Sequence, residues 1–279
     1  MFKKLHNYLP SLSQCWVIVF FIIVVGGLGV GTLLSAISGA AGFNIADMNP
    51  LLSYILPLLP ALAYIFLAKG SGMGTVPIEG KNKSGIPAIL LYPILAYMTI
   101  ALGYVSEPLA SWLPMPDSVK QIFEKILSNS AWAFATTVIA APVIEEFLLR
   151  GIMERGLLAH TTPLKAILWS AFFFAIIHMN PWQATGAFIA GIWIGWIYWK
   201  TGSLIACIFM HAVNNGTAYL IQFLNPELPP ESTYKDLLDM HSPNLYSIVF
   251  VIFAVSLAVL AFYLNRNLSG RCLEQQENQ

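Results

Sequence analysis

Long apolar runs recur along the chain, separated by short polar breaks. A spanning helix needs roughly 20 mostly apolar residues. The first run extends from about Cys15 to Ile37 and the second from Leu51 to Leu67. The third covers Ile86 to Val105, and the fourth starts near Ala131 and continues through charged residues to about Leu158. The fifth covers Pro163 to His178, the sixth Trp182 to Trp199, the seventh Ser203 to Leu224 and the eighth Leu245 to Leu264. The pattern predicts an all-α fold, a polytopic membrane bundle of about eight helices. Pro57, Pro60 and Pro93 predict kinks, which a bundle tolerates when neighbouring groups satisfy the freed carbonyls. The run after Lys3 and Lys4 is longer than the roughly 7–15 residues of a signal-peptide core, so it reads as a retained anchor.

Composition agrees with burial in lipid. Of the 279 residues, 57% are hydrophobic and only 10% charged, against about 25% charged in a soluble domain. Mean hydropathy is +0.68. The formal net charge of +0, with no basic stripe, speaks against a nucleic-acid partner. Cys15, Cys207 and Cys272 are too few and too scattered for a disulfide framework or a cysteine zinc site. The expected partner on this ground is the lipid bilayer.

Cations orient the bundle. With the N-terminus in the cytoplasm, inside segments hold Lys3, Lys4, Lys69, Lys81, Lys83, Arg150, Arg155, Lys165, Lys200, Arg266 and Arg271. Outside segments hold Lys120, Lys125 and Lys235, a division of 11 against 3, or 10 against 3 if Arg150 lies within the membrane. Both termini are therefore expected in the cytoplasm, in a multi-pass protein of the cell (inner) membrane. The outer loops, 106–130 and 225–244, carry most of the exposed acid, and an interfacial helix is expected around residues 122–126. Three regions follow: 1–130 with helices 1–3, 131–224 with the candidate catalytic core, and 225–279 with an outer loop, helix 8 and a cytoplasmic tail.

Ionisable groups inside a membrane helix are costly and read first as a functional site. They concentrate between residues 131 and 216: Glu145, Glu146 and Arg150, then His178, then His211 and Asn215, with Glu154 and Asn214 as weaker candidates. Glu146 and Arg150 are four apart and can pair on one helical face. Glu145 is turned about 100° away and can face a cavity. A buried ion network that merely holds helices together would need one Glu for one Arg. Counted at 1.5 Å per residue from the turns, Glu145 and His178 lie about 21 and 22 Å deep, and His211 and Asn215 about 12 and 18 Å. Helices 4, 5 and 7 thus bring these groups to a similar depth.

Glu-Glu-x-x-x-Arg at 145–150, Phe-x-x-x-His at 174–178 and His-x-x-x-Asn at 211–215, in order on successive apolar helices, resemble the CAAX protease and bacteriocin-processing family. These are intramembrane endopeptidases that include the Rce1-type CAAX proteases. The resemblance implies a peptide or protein substrate in the membrane, and it implies that Glu145 activates water with help from His178. It implies that Glu146 and Arg150 support the site, and that His211 and Asn215 bind the developing oxyanion. No metal is favoured. The alternative is Zn²⁺ on Glu145, His178 and His211, with a fourth position open. A non-catalytic immunity or scaffold member of the same family and a proton-coupled transporter are the other readings.

Overall fold

A computed structural model describes residues 2–42, 49–80, 85–126, 130–229, 232–239, 242 and 244–268. Every regular element among them is helical. The long helices are α1 (Leu12–Ala41), α2 (Pro50–Leu67), α3 (Ala88–Ala110) and α4 (Ala131–His160), then α5 (Pro163–Ile177) and α6 (Pro181–Thr201), and α7 (Leu204–Leu224) and α8 (Leu245–Asn267). Short helices occupy Phe2–His6, Asp117–Ile126 and Tyr234–Asp239. The segment 117–126 meets the expectation of an extra helix in the first outer loop.

Six of the long helices, α1–α4, α7 and α8, are long and apolar enough to cross a membrane. This qualifies the expected eight. With 15 residues, α5 rises about 22 Å, short of a hydrocarbon core about 30 Å thick. In α6, Gln183, Thr185, Lys200 and three glycines dilute the apolar character. The two pack closely against each other as a hairpin. A Cβ on Gly191 would lie 2.9 Å from the Ala171 Cα, so only glycine permits this approach.

Helix starts follow side-chain capping, in which a polar oxygen satisfies an orphan N–H. Ser130 caps α4 at 3.0 Å, Asn180 caps α6 at 2.8 Å and Ser203 caps α7 at 3.2 Å. Pro57 lies in a single 3₁₀ turn, Leu56–Leu58, within α2. A Cβ on Gly26 would fall 1.9 Å from the Pro57 carbonyl oxygen, so the bend in α2 and the missing side chain in α1 fit one another. α3 continues through Pro93 and Pro108. In α4, π-helical turns at Ala135–Ala140 and Phe147–Glu154 bracket the α-helical segment carrying Glu145 and Glu146.

The helices alternate in direction, which defines two ends. The terminal end holds the N-terminal segment, the segment 69–80, the α4–α5 and α6–α7 turns and the close of α8. The loop end holds the segments after α3 and α7. One buried cluster joins Leu5, Tyr8, Cys15 and Ile18 to Ile65, Leu149, Ile152, Met153 and Phe173. The other joins Leu91, Leu95 and Met98 to Ile197, Tyr198, Met210 and Leu264.

The segment 69–80, part of a Gly-rich polar stretch between α2 and α3, is docked. Ser71 N–H donates to the Asn7 carbonyl at 2.8 Å, Val76 N–H to His6 at 3.1 Å and Gly80 N–H to Gly202 at 2.8 Å. Arg155 is buried and donates to the carbonyls of Leu5 (2.7 Å), Tyr8 (2.8 Å) and Val76. Lys4, Lys69, Lys165 and Arg266 are exposed at this end. Lys81, Lys83, Arg271 and Cys272 lie outside the described residues.

Candidate active site

The α4 wall separates the two carboxylates. Glu146 and Arg150 have no exposed side-chain surface and pair at 3.0 Å. The Arg150 guanidinium also donates to the Gly191 carbonyl at 2.9 Å, lies 3.7 Å from Glu154 and covers the Phe174 ring at 5.0 Å. Glu154 is fully buried and presses on α6 where a Cβ at Gly195 would stand 2.7 Å from its carboxylate. Charges so far from water persist only when paired and hydrogen-bonded. Glu145 is turned toward a cavity and keeps 14% of its side-chain surface accessible.

His211 links the pair. Its Nδ1 lies 2.8 Å from Glu146 Oε1 and its Nε2 3.8 Å from Glu145 Oε2. A carboxylate only accepts, so Nδ1 carries the proton of the shorter contact. Glu146 thereby fixes the ring and aims Nε2 at Glu145. His178 sits one residue past α5, with Nδ1 2.7 Å from the Phe174 carbonyl. That carbonyl also only accepts, which leaves His178 Nε2 as an acceptor in the neutral ring. Met179 follows in the left-handed region (φ 55) and Asn180 donates to the His178 carbonyl at 3.0 Å. The α5–α6 turn thus fixes the histidine at the helix tip.

Asn215, one turn beyond His211 on α7, donates from its amide to the Thr137 carbonyl of α4 at 2.9 Å. Asn214 donates to the Asn215 side-chain oxygen at 3.2 Å, so both asparagines belong to one chain of hydrogen bonds.

Glu145, His178, His211, Asn214 and Asn215 all line one cavity of about 580 Å³. Glu146 and Arg150 lie behind its wall as support. The remaining lining is largely apolar, with Leu58, Leu102, Phe174, Ile177 and Trp193 among it. Among the described residues, no three His, Cys, Asp or Glu side chains are grouped to hold a metal ion.

Tyr54 and the pair Glu107 and Tyr234 escape a reading of helices 4, 5 and 7, whereas Phe174 belongs to the motif of helix 5. Tyr54 of α2 donates its phenol to Glu145 Oε1 at 2.8 Å. Its only sequence signal is a hydroxyl in an apolar run, which is common. Phe174 packs edge-on against both His178 and His211 at 5.0 and 5.3 Å. At the mouth, Glu107 accepts from Tyr234 N–H at 2.6 Å, and both residues line the cavity. Burial, and next the Glu107 carboxylate, push the Tyr234 phenol up to about 12. Both lie in the expected outer loops 106–130 and 225–244, and the second of these folds back over the opening.

Fold and site together define a polytopic helical membrane protein with a carboxylate–histidine cluster set into an internal cavity. One family model, described as type II CAAX prenyl endopeptidase Rce1-like, matches residues 127–217, about a third of the chain. All six candidate residues fall inside the matched segment. No curated protein and no solved structure matches the chain.

Proposed function

We propose that the protein is an intramembrane endopeptidase of the CAAX-protease kind that hydrolyses a peptide bond of a membrane-associated polypeptide. The observation that carries this reading is the placement of Glu145 and His211 Nε2 3.8 Å apart at the wall of one cavity. Peptide hydrolysis needs a base beside the attacking water and donors aimed at the tetrahedral oxygen. Glu145 is the base that takes one proton of the water, and His178 Nε2 orients the water by accepting a hydrogen bond from its other O–H. The proton that Glu145 takes goes to the leaving amine. Protonated His211, held through Nδ1 by Glu146, directs Nε2–H at the oxyanion. An amide nitrogen carries two N–H groups, so Asn215 retains a donor beyond its bond to Thr137. Arg150 offsets the charge of Glu146, which lets that carboxylate stay buried and hold the histidine. The reaction proceeds without a metal. The protein resides in the inner membrane with both termini in the cytoplasm, by its cation asymmetry.

The test compares peptides in membranes and medium of cells carrying the wild-type protein or the Glu145→Ala, His178→Ala or His211→Ala variant. Each variant should abolish the same cleavage while the protein remains in the membrane. Cleavage retained by Glu145→Ala would defeat the assignment. Activity should also survive chelators. One equivalent of zinc, lost with activity on chelation and regained on adding zinc, would replace the metal-free mechanism.

A further inference from the structure

The cavity is asymmetric along the membrane normal. Most of its lining comes from the loop-end halves of its helices, Thr99–Ala110 of α3, Thr136–Glu145 of α4, Trp182–Ala190 of α6 and Asn214–Ala218 of α7, while Ile22, Leu148, Trp193, Ile194 and His211 reach past the helix midpoints. Phe123 and Tyr234 from the loop-end segments complete the mouth. A smaller space of about 190 Å³ adjoins it through Glu107, Ala218 and Tyr234. Toward the terminal end the way is filled. Leu149, Ile152 and Met153 are fully buried there, and Arg150 ties α4 to α6 across the same level. Below them Arg155 fastens the N-terminal segment and the segment 69–80 over the bundle.

The charge distribution assigns sides to these ends independently of the cavity. Among the described residues, the exposed cations Lys4, Lys69, Lys165 and Arg266 are at the terminal end and Lys235 alone is at the loop end. Across the whole sequence the division is 10 against 3 once the buried Arg150 is set aside. Such asymmetry in short loops marks the cytoplasmic side.

We propose that the cavity is served from the non-cytoplasmic face, so that its substrate is an already translocated segment of a membrane-associated polypeptide. The inference rests on the endopeptidase reading for the word substrate, and on geometry and charge alone for the side of entry. Glu145 stands 14 residues into α4 from Ala131, about 21 Å of helix. An extended chain rises about 3.3 Å per residue, so about six residues of unfolded substrate must enter before the scissile bond meets Glu145. A bond closer than that to a folded outer domain is protected from cleavage.

The full-length protein, with Cys272 replaced by serine, carries one reporter cysteine at a time. Cys15 and Cys207 are buried and stay in place. Intact cells are treated with a membrane-impermeant maleimide before and after permeabilisation. Ser106→Cys, in the cavity lining, should label in intact cells, and Gly72→Cys, in the docked segment at the terminal end, only after permeabilisation. Thr233→Cys serves as the outer reporter should Ser106→Cys fail to accumulate. Gly72→Cys labelled in intact cells, with the outer reporter protected, would overturn the proposal. Labelling does not depend on hydrolysis. Correct labelling without any Glu145-dependent cleavage would therefore refute the endopeptidase reading and leave the side of entry standing.

Discussion

At the terminal end, side chains from α1, α2, α4 and α5 close around Cys15, Ile18, Ile65, Ile152 and Met153, all at 1% exposure or less. At the loop end the same helices diverge around a cavity of about 580 Å³ that holds the ionisable groups. One set of helices thus supplies a packed base and a hollow head. The difference lies in what the polar groups do. Arg155 satisfies three backbone carbonyls and has no part in the cavity, whereas Glu145, His178 and His211 reach into it. Substitutions at the packed end should change stability and leave turnover per folded molecule alone. Substitutions in the hollow end should do the reverse. Arg150 lies at the boundary and should do both.

Arg150 therefore gives the largest combined effect. Arg150→Met leaves Glu146 and Glu154 buried without their guanidinium. Breaking a buried ion pair from one side costs about 3–5 kcal/mol. Thermal unfolding of the purified protein in detergent should show a large drop in midpoint. The fraction that stays folded should also have lost cleavage, because Glu146 no longer holds His211 in a balanced field. A stable and active Arg150→Met protein would remove the boundary between the two ends.

Arg155→Met tests the packed end alone. Hydrogen bonds from a charged donor contribute about 1.5–3 kcal/mol, and the three accepting carbonyls belong to two docked segments. The unfolding midpoint should fall by less than in Arg150→Met. kcat and KM, measured below the transition, should match the wild type. A change in kcat at full folding would mean that the docked segments communicate with the cavity.

The sequence carried the bundle well because membrane burial imposes a long, nearly unbroken apolar pattern. The ends of α2, α4, α5 and α7 fall within a few residues of the expected ones. The α5–α6 pair was harder. Their approach depends on Gly191 and Gly195 opposite Ala171 and Glu154, a matter of what a missing Cβ permits rather than of apolar periodicity. The site divided in the same way. Helical spacing was enough to pair Glu146 with Arg150 and to turn Glu145 from them. His211 against Glu146, at 65 residues' separation, and Tyr54 against Glu145, at 91, are set by how helices pack, which spacing along one helix does not encode. The docking of residues 69–80 was not legible, because glycines and polar groups suit a solvated linker equally well. Arg155 and backbone hydrogen bonds hold them instead.

Tyr54 offers the finest test of the division, and the smallest effect. It lies outside the matched 127–217 segment, on a helix with no other ionisable group in the cavity wall. Its phenol fixes one oxygen of Glu145, which leaves the other directed toward His211. Phenylalanine keeps the ring and its packing and removes only that donor. The Glu145 carboxylate would then rotate more freely, and part of the time its lone pairs would miss the water. Poor alignment of a catalytic group lowers the rate without touching remote substrate contacts. Tyr54→Phe should reduce kcat by about tenfold, equivalent to about 1.4 kcal/mol, with KM and the unfolding midpoint unchanged. Tyr54→Ala should lower kcat further and also reduce stability, since the ring itself is lost. Equal loss of midpoint in both variants, with kcat following it, would show that Tyr54 belongs to the packing of the bundle and not to the base.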